Sequence, residues 1–162
     1  MRWHLRAKVA LRSPEQNSTF QVVWWQSGDR YDIRLLSTLG IGIARLHGDA
    51  GGVTLSSGRE ADRYAESADQ LVEQELGLTL PVTPLRYWLT GRADPAHPAL
   101  WEDQTLRQAD WVVRFSGSSF PIPDAPIPGS QLSGGESRPP DKLTLEHGRI
   151  RLRVIVKEWQ WL

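Results

Sequence analysis

Cysteine is missing from the 162 residues. Disulfides, thiol nucleophiles and thiolate metal sites are therefore excluded, and cysteine usage says nothing about the redox compartment. Net charge is missing too. Nineteen Lys and Arg balance nineteen Asp and Glu, the pI lies near 6.9, and no overall field exists to draw in nucleic acid or anionic lipid. No apolar run approaches the roughly 18 residues that span a bilayer. No signal peptide is expected in this stretch, because "MRWHLRAKV" starts on a strand pattern instead of a charged region followed by an apolar one. So abrupt a start predicts a natural N-terminus upstream, with Met1 an added initiator. Phe and Tyr are scarce at three each, whereas Trp occurs eight times, partly in neighbouring positions such as Trp24-Trp25 and "WQW" at 159–161. Such indoles suit core and barrel-rim packing, and equally a cavity wall or a lipid–water boundary.

The chemistry-bearing patterns are equally thin. His4, His47, His97 and His147 are scattered, none at the i, i+4 spacing of a zinc helix, so no metal site is expected. "GIGIARLHG" fails the dinucleotide fingerprint, and no G-x-S-x-G elbow occurs. Glu60 with Asp62, and Glu102 with Asp103, read as solvated faces rather than acid–base pairs. An enzyme, a cofactor and a nucleic-acid partner are not expected. Binding of something apolar remains.

What is present is alternation. Trp3, Leu5, Ala7, Val9 and Leu11 share one face against His4, Arg6, Lys8 and Arg12. "SPEQNS" turns the chain, Phe20, Val22 and Trp24 repeat the period, and "SGD" turns it again. Tyr31, Ile33 and Leu35 follow, then a meander of short strands to "RYAE". At Ser67 the period changes. "SADQLVEQELG" carries an N-cap at Ser67, Gln70 in capping-box position and Gly77 past the end. A second short helix is predicted with Thr83 as N-cap, Pro84 at N1 and Gly91 as C′. "GRADPAHPAL" reads as loop, "DWVVRF" as strand, and the Pro/Gly/Ser-rich stretch 116–140 as a flexible loop. The chain ends in a hairpin turning at "EHGR". These elements predict a mainly β single domain over 1–162 with two or three short helices. Its roughly nine to eleven strands would form an incomplete, half-open antiparallel β-barrel, plugged by the helices and enclosing an apolar cavity.

"STLGIG", residues 37–42, is an odd hairpin tip. Gly40 and Gly42 suit a sharp turn, but Leu39 and Ile41 place large aliphatics where water is hardest to exclude.

Three stretches together resemble the LolB family of outer-membrane lipoprotein receptors: "WQSGDRYDIRLLSTLGIGIARLHGDAGGVTL", "LPVTPLRYWLTGRADP" and "KLTLEHGRIRLRVIVKEW". The most specific parts are P-L-R-Y-W-L-x-G (Pro84–Gly91) and the x-L-G-x-G tip. The lipid-bearing N-terminal Cys has no counterpart here, and segment 116–138 is longer than the family pattern. The resemblance implies a monomer lipid-anchored to the periplasmic face of the outer membrane. It would accept triacylated lipoproteins from the carrier LolA and insert them into outer-membrane lipid, without nucleotide. It also assigns Leu39, Gly40 and Ile41 to a membrane-insertion loop. The acyl-chain cavity is expected to be lined by Trp24, Ile33, Leu35, Ile43, Leu71, Leu85, Trp88, Leu89, Val113, Leu152 and Val154, each of which equally suits ordinary core packing. A LolA-like carrier, or a β-barrel enzyme of lipid metabolism, are the competing readings.

Overall fold

The computed structural model describes residues 2–58, 61–117 and 139–162. The stretch 116–140 therefore lies mostly outside the described residues, as does Glu60. Among the described residues the chain forms β1 (Arg2–Arg12), β2 (Asn17–Ser27), β3 (Arg30–Leu36), β4 (Gly42–Asp49), β5 (Gly52–Ser56) and β6 (Arg63–Ala65). Helices α1 (Ala68–Leu76) and α2 (Val82–Trp88) follow, then β7 (Leu100–Glu102), β8 (Thr105–Gln108), β9 (Trp111–Ser116), β10 (Lys142–His147) and β11 (Ile150–Trp161). All eleven strands join one antiparallel sheet in the order β6-β5-β4-β3-β2-β1-β11-β10-β9-β8-β7. The terminal strands β6 and β7 do not pair, so the barrel stays open.

Period-2 alternation becomes an inside and an outside. The inward residues of β1 (Trp3, Leu5, Ala7, Val9, Leu11) are all buried. One buried cluster collects side chains from near both ends of the sheet order, such as Leu55 and Leu106, and from both helices. The sheet thus curls around α1 and α2, which sink Leu71, Val72, Leu85 and Trp88 into it. This is the helix-plugged, incomplete antiparallel barrel that the element order predicts.

Helix α1 starts and stops where its sequence says. The Ser67 Oγ accepts the Gln70 N–H at 3.4 Å, and Gly77 takes the left-handed conformation (φ 67°) that closes the last turn. Helix α2 differs from expectation. It begins at Val82 with Pro81 as N-cap, and Thr83 lies inside its first turn. The Thr83 N–H and Oγ1 both donate to the Asp69 Oδ1 of α1, at 2.9 and 2.8 Å. A carboxylate from the neighbouring helix does the work a local cap would do, which is why the sequence pattern misplaced the start.

Two further departures matter for the site. Between β3 and β4 the register slips: Leu35 pairs with Ala44 and Leu36 with Gly42, leaving Ile43 as the extra residue of a bulge. Strand β7 begins at Leu100, the last residue of the expected loop, and a tight turn with Asp103 at φ 54° joins it to β8.

Candidate functional site

The loop joining β3 to β4 is held by its own backbone. The Gly40 N–H donates to the Ser37 carbonyl at 2.9 Å, the Ser37 N–H to the Ile41 carbonyl at 2.7 Å, and the Ile41 N–H to the Ser37 Oγ at 3.1 Å. Gly40 sits at φ 85°, a conformation that costs any residue with a Cβ. Gly42 opens β4 without a positive φ, so the sharp reversal rests on Gly40 rather than on both glycines. From β2, the Gln21 Nε2 donates to the carbonyls of Thr38 (3.1 Å) and Ser37 (3.4 Å), tying the loop to the outer face of the sheet. Leu39 stands out at 85% exposure rather than folding back onto the strands, with Ile41 at 65% beside it. Leaving one leucine in water forgoes roughly 1.5–3 kcal/mol of burial, so clustered exposed aliphatics on a hydrogen-bonded loop call for an apolar contact.

Ile43 is a correction. Inward placement was expected, but the bulge leaves it outward at 42% exposure, and Ala44 takes the inward place opposite Leu35. Ile43 extends the apolar surface of the tip instead. Together with Ile41, Leu55 and Leu76 it lines an open groove between the loop and the C-terminal end of α1.

The other expected cavity residues are all buried: Trp24, Ile33, Leu35, Leu71, Leu85, Trp88, Leu89, Val113, Leu152 and Val154. Trp24, Ile33, Leu85, Leu89 and Val154 face one interior space, with Leu5, Ala7, Val9, Val22, Leu80 and Val82 completing its walls. Leu35, Leu71, Trp88, Val113 and Leu152 do not line that space and pack in the surrounding core. The six additional wall residues were legible in part, since Leu5, Ala7, Val9 and Val22 lie on inward strand faces. Leu80 comes from the link between the helices and Val82 from the first position of α2, where periodicity carries little signal. The space is wholly apolar and small, about 20 Å³, room for about one water. Ligand pockets usually run to roughly 300–1,000 Å³, so the helices fill most of the interior here.

Polar anchors hold the plug. Gln108, buried at the end of β8, accepts from the Trp88 Nε1 (2.9 Å) and the Asp94 N–H (2.8 Å), and donates to the carbonyls of Asp94 (2.8 Å) and His97 (2.9 Å). It fastens the end of α2 and the following loop to the sheet. At the other end of α2 stand the Asp69–Thr83 bonds, and an Arg86–Asp29 ion pair of 3.5 Å reaches the β2–β3 turn. Burial pushes the Asp69 carboxyl above its ordinary value, with the Thr83 hydrogen bonds pulling the other way. Burial, then the nearby Asp69 charge, raises the Tyr31 phenol to about 12. Buried Gln26 accepts from the Trp24 Nε1 at 2.9 Å and donates to the Gly28 carbonyl, fixing that indole against the interior space. Among the described residues no group of three His, Asp or Glu is placed to hold a metal, and no helix is long and apolar enough to cross a membrane.

Comparisons with known proteins speak to the family and the fold. The family profile described as "Outer membrane lipoprotein LolB" matches residues 1–159. The chain is 32% identical to the outer-membrane lipoprotein LolB of Nitrosococcus oceani over 165 residues, covering 98% of this chain and 76% of that protein. It is likewise similar to the LolB proteins of Pseudomonas putida (32% identical; 98% of this chain, 74% of that protein) and Cellvibrio japonicus (28%; 98% and 77%). Among solved structures it resembles a LolA superfamily protein of Nitrosomonas europaea, with a TM-score of 0.56 at 6% identity, over 99% of this chain and 86% of that one. That likeness speaks to the fold alone.

Proposed function

The chain belongs to the LolB family of outer-membrane lipoproteins, and from that premise we propose that it is a lipoprotein receptor and insertion factor. It takes acylated lipoproteins from a soluble LolA-type carrier into its barrel interior and releases them into the outer membrane. It acts as a monomer, without catalysis and without nucleotide hydrolysis. The observation that carries the reading is the pairing of a wholly apolar, helix-plugged interior with an exposed leucine on a stiff, hydrogen-bonded tip.

Acyl chains need far more room than about 20 Å³, so acceptance requires the plug to move. Leu80, Val82, Leu85 and Leu89 are the walls contributed by α2 and its flanking residues. Swinging them outward enlarges the space between them and Leu5, Val22, Trp24 and Ile33. Apolar contacts then exchange for apolar contacts with cargo, at about 0.8 kcal/mol per methylene buried. Small differences in wall chemistry, summed over many methylenes, set the direction of handover from carrier to receptor. Leu39 and Ile41 supply the other half, entering the bilayer so that cargo leaves into lipid rather than water.

The test separates the two halves. Carrier loaded with a triacylated lipoprotein is mixed with this protein, first in solution and then with liposomes. Leu39→Glu is expected to accept cargo like wild type and to fail at delivery, because a charged side chain costs about 2.5–3.5 kcal/mol at the bilayer centre. Normal delivery by Leu39→Glu would contradict the tip's role, and failure of the wild type to take cargo from the carrier would contradict the receptor reading itself.

A further inference from the structure

The sequence totals cancel, yet the fold sorts the charges. The outward residues of β1 include Arg2, Arg6, Lys8 and Arg12, whereas the segment around α1 carries Glu66, Asp69, Glu73 and Glu75. The consequence is sharpest beside the tip. A depression of about 340 Å³ on the outer face is lined by Arg6, Lys8, Gln21, Thr38, Lys157 and Glu158. Three cations there face one carboxylate. Register explains the gathering. Lys8 pairs with Gln21, whose amide holds the Thr38 carbonyl, so β1 lies next to the loop. On the other side Arg6 pairs with Glu158 and Ala7 with Val156, and the bulge between them adds Lys157 to the exposed edge of the same depression. Among the described residues none of Arg6, Lys8 and Lys157 has an ion-pair partner within 4.0 Å.

We propose that this depression binds the phosphate of anionic phospholipid headgroups, gripping the bilayer surface beside the point where Leu39 enters it. The charge arrangement fits one occupant: a tip that reaches hydrocarbon places the polar surface behind it at the headgroup level, and the cations there meet lipid phosphate. A uniformly polar or acidic rim would instead oppose docking. The inference rests on the membrane-facing role of the tip, and its test distinguishes failure of one from failure of the other.

Flotation with vesicles of phosphatidylcholine, with and without phosphatidylglycerol, reads the affinity. Wild type is expected to prefer the vesicles containing phosphatidylglycerol. The double variant Lys8→Gln/Lys157→Gln loses about fivefold per cation, roughly 25-fold in all, on those vesicles and nothing on neutral ones. Both side chains are exposed, so the melting temperature and cargo uptake from the carrier in solution stay at wild-type values. Leu39→Asn, which adds no charge, weakens binding to both vesicle types by the same factor and keeps the preference. A Leu39→Asn variant that binds normally would remove the tip's role while a charge-dependent preference would still support the headgroup site. Equal binding of the double variant and wild type to phosphatidylglycerol vesicles would overturn the proposal. Saturable binding of inorganic phosphate in the absence of lipid, lost in the double variant while flotation with phosphatidylglycerol vesicles is not, would also overturn it, by assigning the site to a soluble anion.

Discussion

Replacing Gln108 by leucine removes four hydrogen bonds while keeping the side-chain volume roughly constant. Two buried donors, the Trp88 Nε1 and the Asp94 N–H, then face an apolar methyl group. The Asp94 carbonyl keeps the His97 N–H at 3.3 Å, so the acceptor side suffers less. Each orphaned buried donor costs about 1–3 kcal/mol, partly offset by the added apolar burial of leucine. The net expectation is a destabilisation of about 2–4 kcal/mol, a large share of the roughly 5–15 kcal/mol that holds a domain together. Urea unfolding followed by tryptophan fluorescence reads it as a lowered midpoint with an unchanged slope. Gln104→Leu, on the exposed turn of the same hairpin, serves as control and should stay within about 0.5 kcal/mol of wild type. Hydrogen exchange at Asp94 should accelerate in the Gln108 variant, because the loop after α2 hangs on that amide. A loss under about 0.5 kcal/mol would mean that this network is not what fastens α2 to the sheet.

Four further outcomes follow from the same geometry. Gly40→Ala forces a Cβ onto φ 85° and should cost about 1 kcal/mol by thermal melting, without any clash to relieve. Ile43→Asp should be nearly neutral in stability because Ile43 faces outward, whereas a cost of several kcal/mol would mean that it points inward after all. Asp69→Ala strips the Thr83 N–H of its acceptor and should cost about 0.5–2 kcal/mol, while Asp69→Asn keeps an Oδ1 for that bond. Because folding raises the Asp69 carboxyl, the native state holds that proton more tightly, and this group's contribution to stability falls as pH rises from 3.8 through the raised value. Asp69→Asn should abolish that fall in pH-dependent melts. An ultraviolet titration should find one tyrosine, absent in Tyr31→Phe, that ionises only near pH 12.

Strand alternation was the most legible feature, because a half-buried antiparallel strand must place every second side chain inside. It placed Trp24, Ile33, Leu35, Val113, Leu152 and Val154 on inward strand faces, where all six are buried. It misplaced Ile43 because one extra residue in a ladder reverses the phase, and nothing in "GIGIARL" marks where the bulge falls. The start of α2 was misread for a related reason. Thr83 has the chemistry of a cap, but Asp69, fourteen residues away, caps the helix from outside it. Gln108 left the weakest trace: a lone glutamine on the inward phase of a short strand looks like a surface residue until Trp88, Asp94 and His97 surround it. The basic depression beside the tip was invisible to composition, since cancelling totals say nothing about which face each charge occupies.

In the proposed function, acyl chains enter the interior walled by β1–β3, β11 and α2. A lipoprotein carrying a photoreactive diazirine on its acyl chain, handed over by the carrier and irradiated, tests it directly. The expected labels fall on interior residues such as Val22, Trp24, Ile33, Leu85 and Leu89. Labels confined to outward residues such as Trp25, Val112 and Thr144 would contradict it.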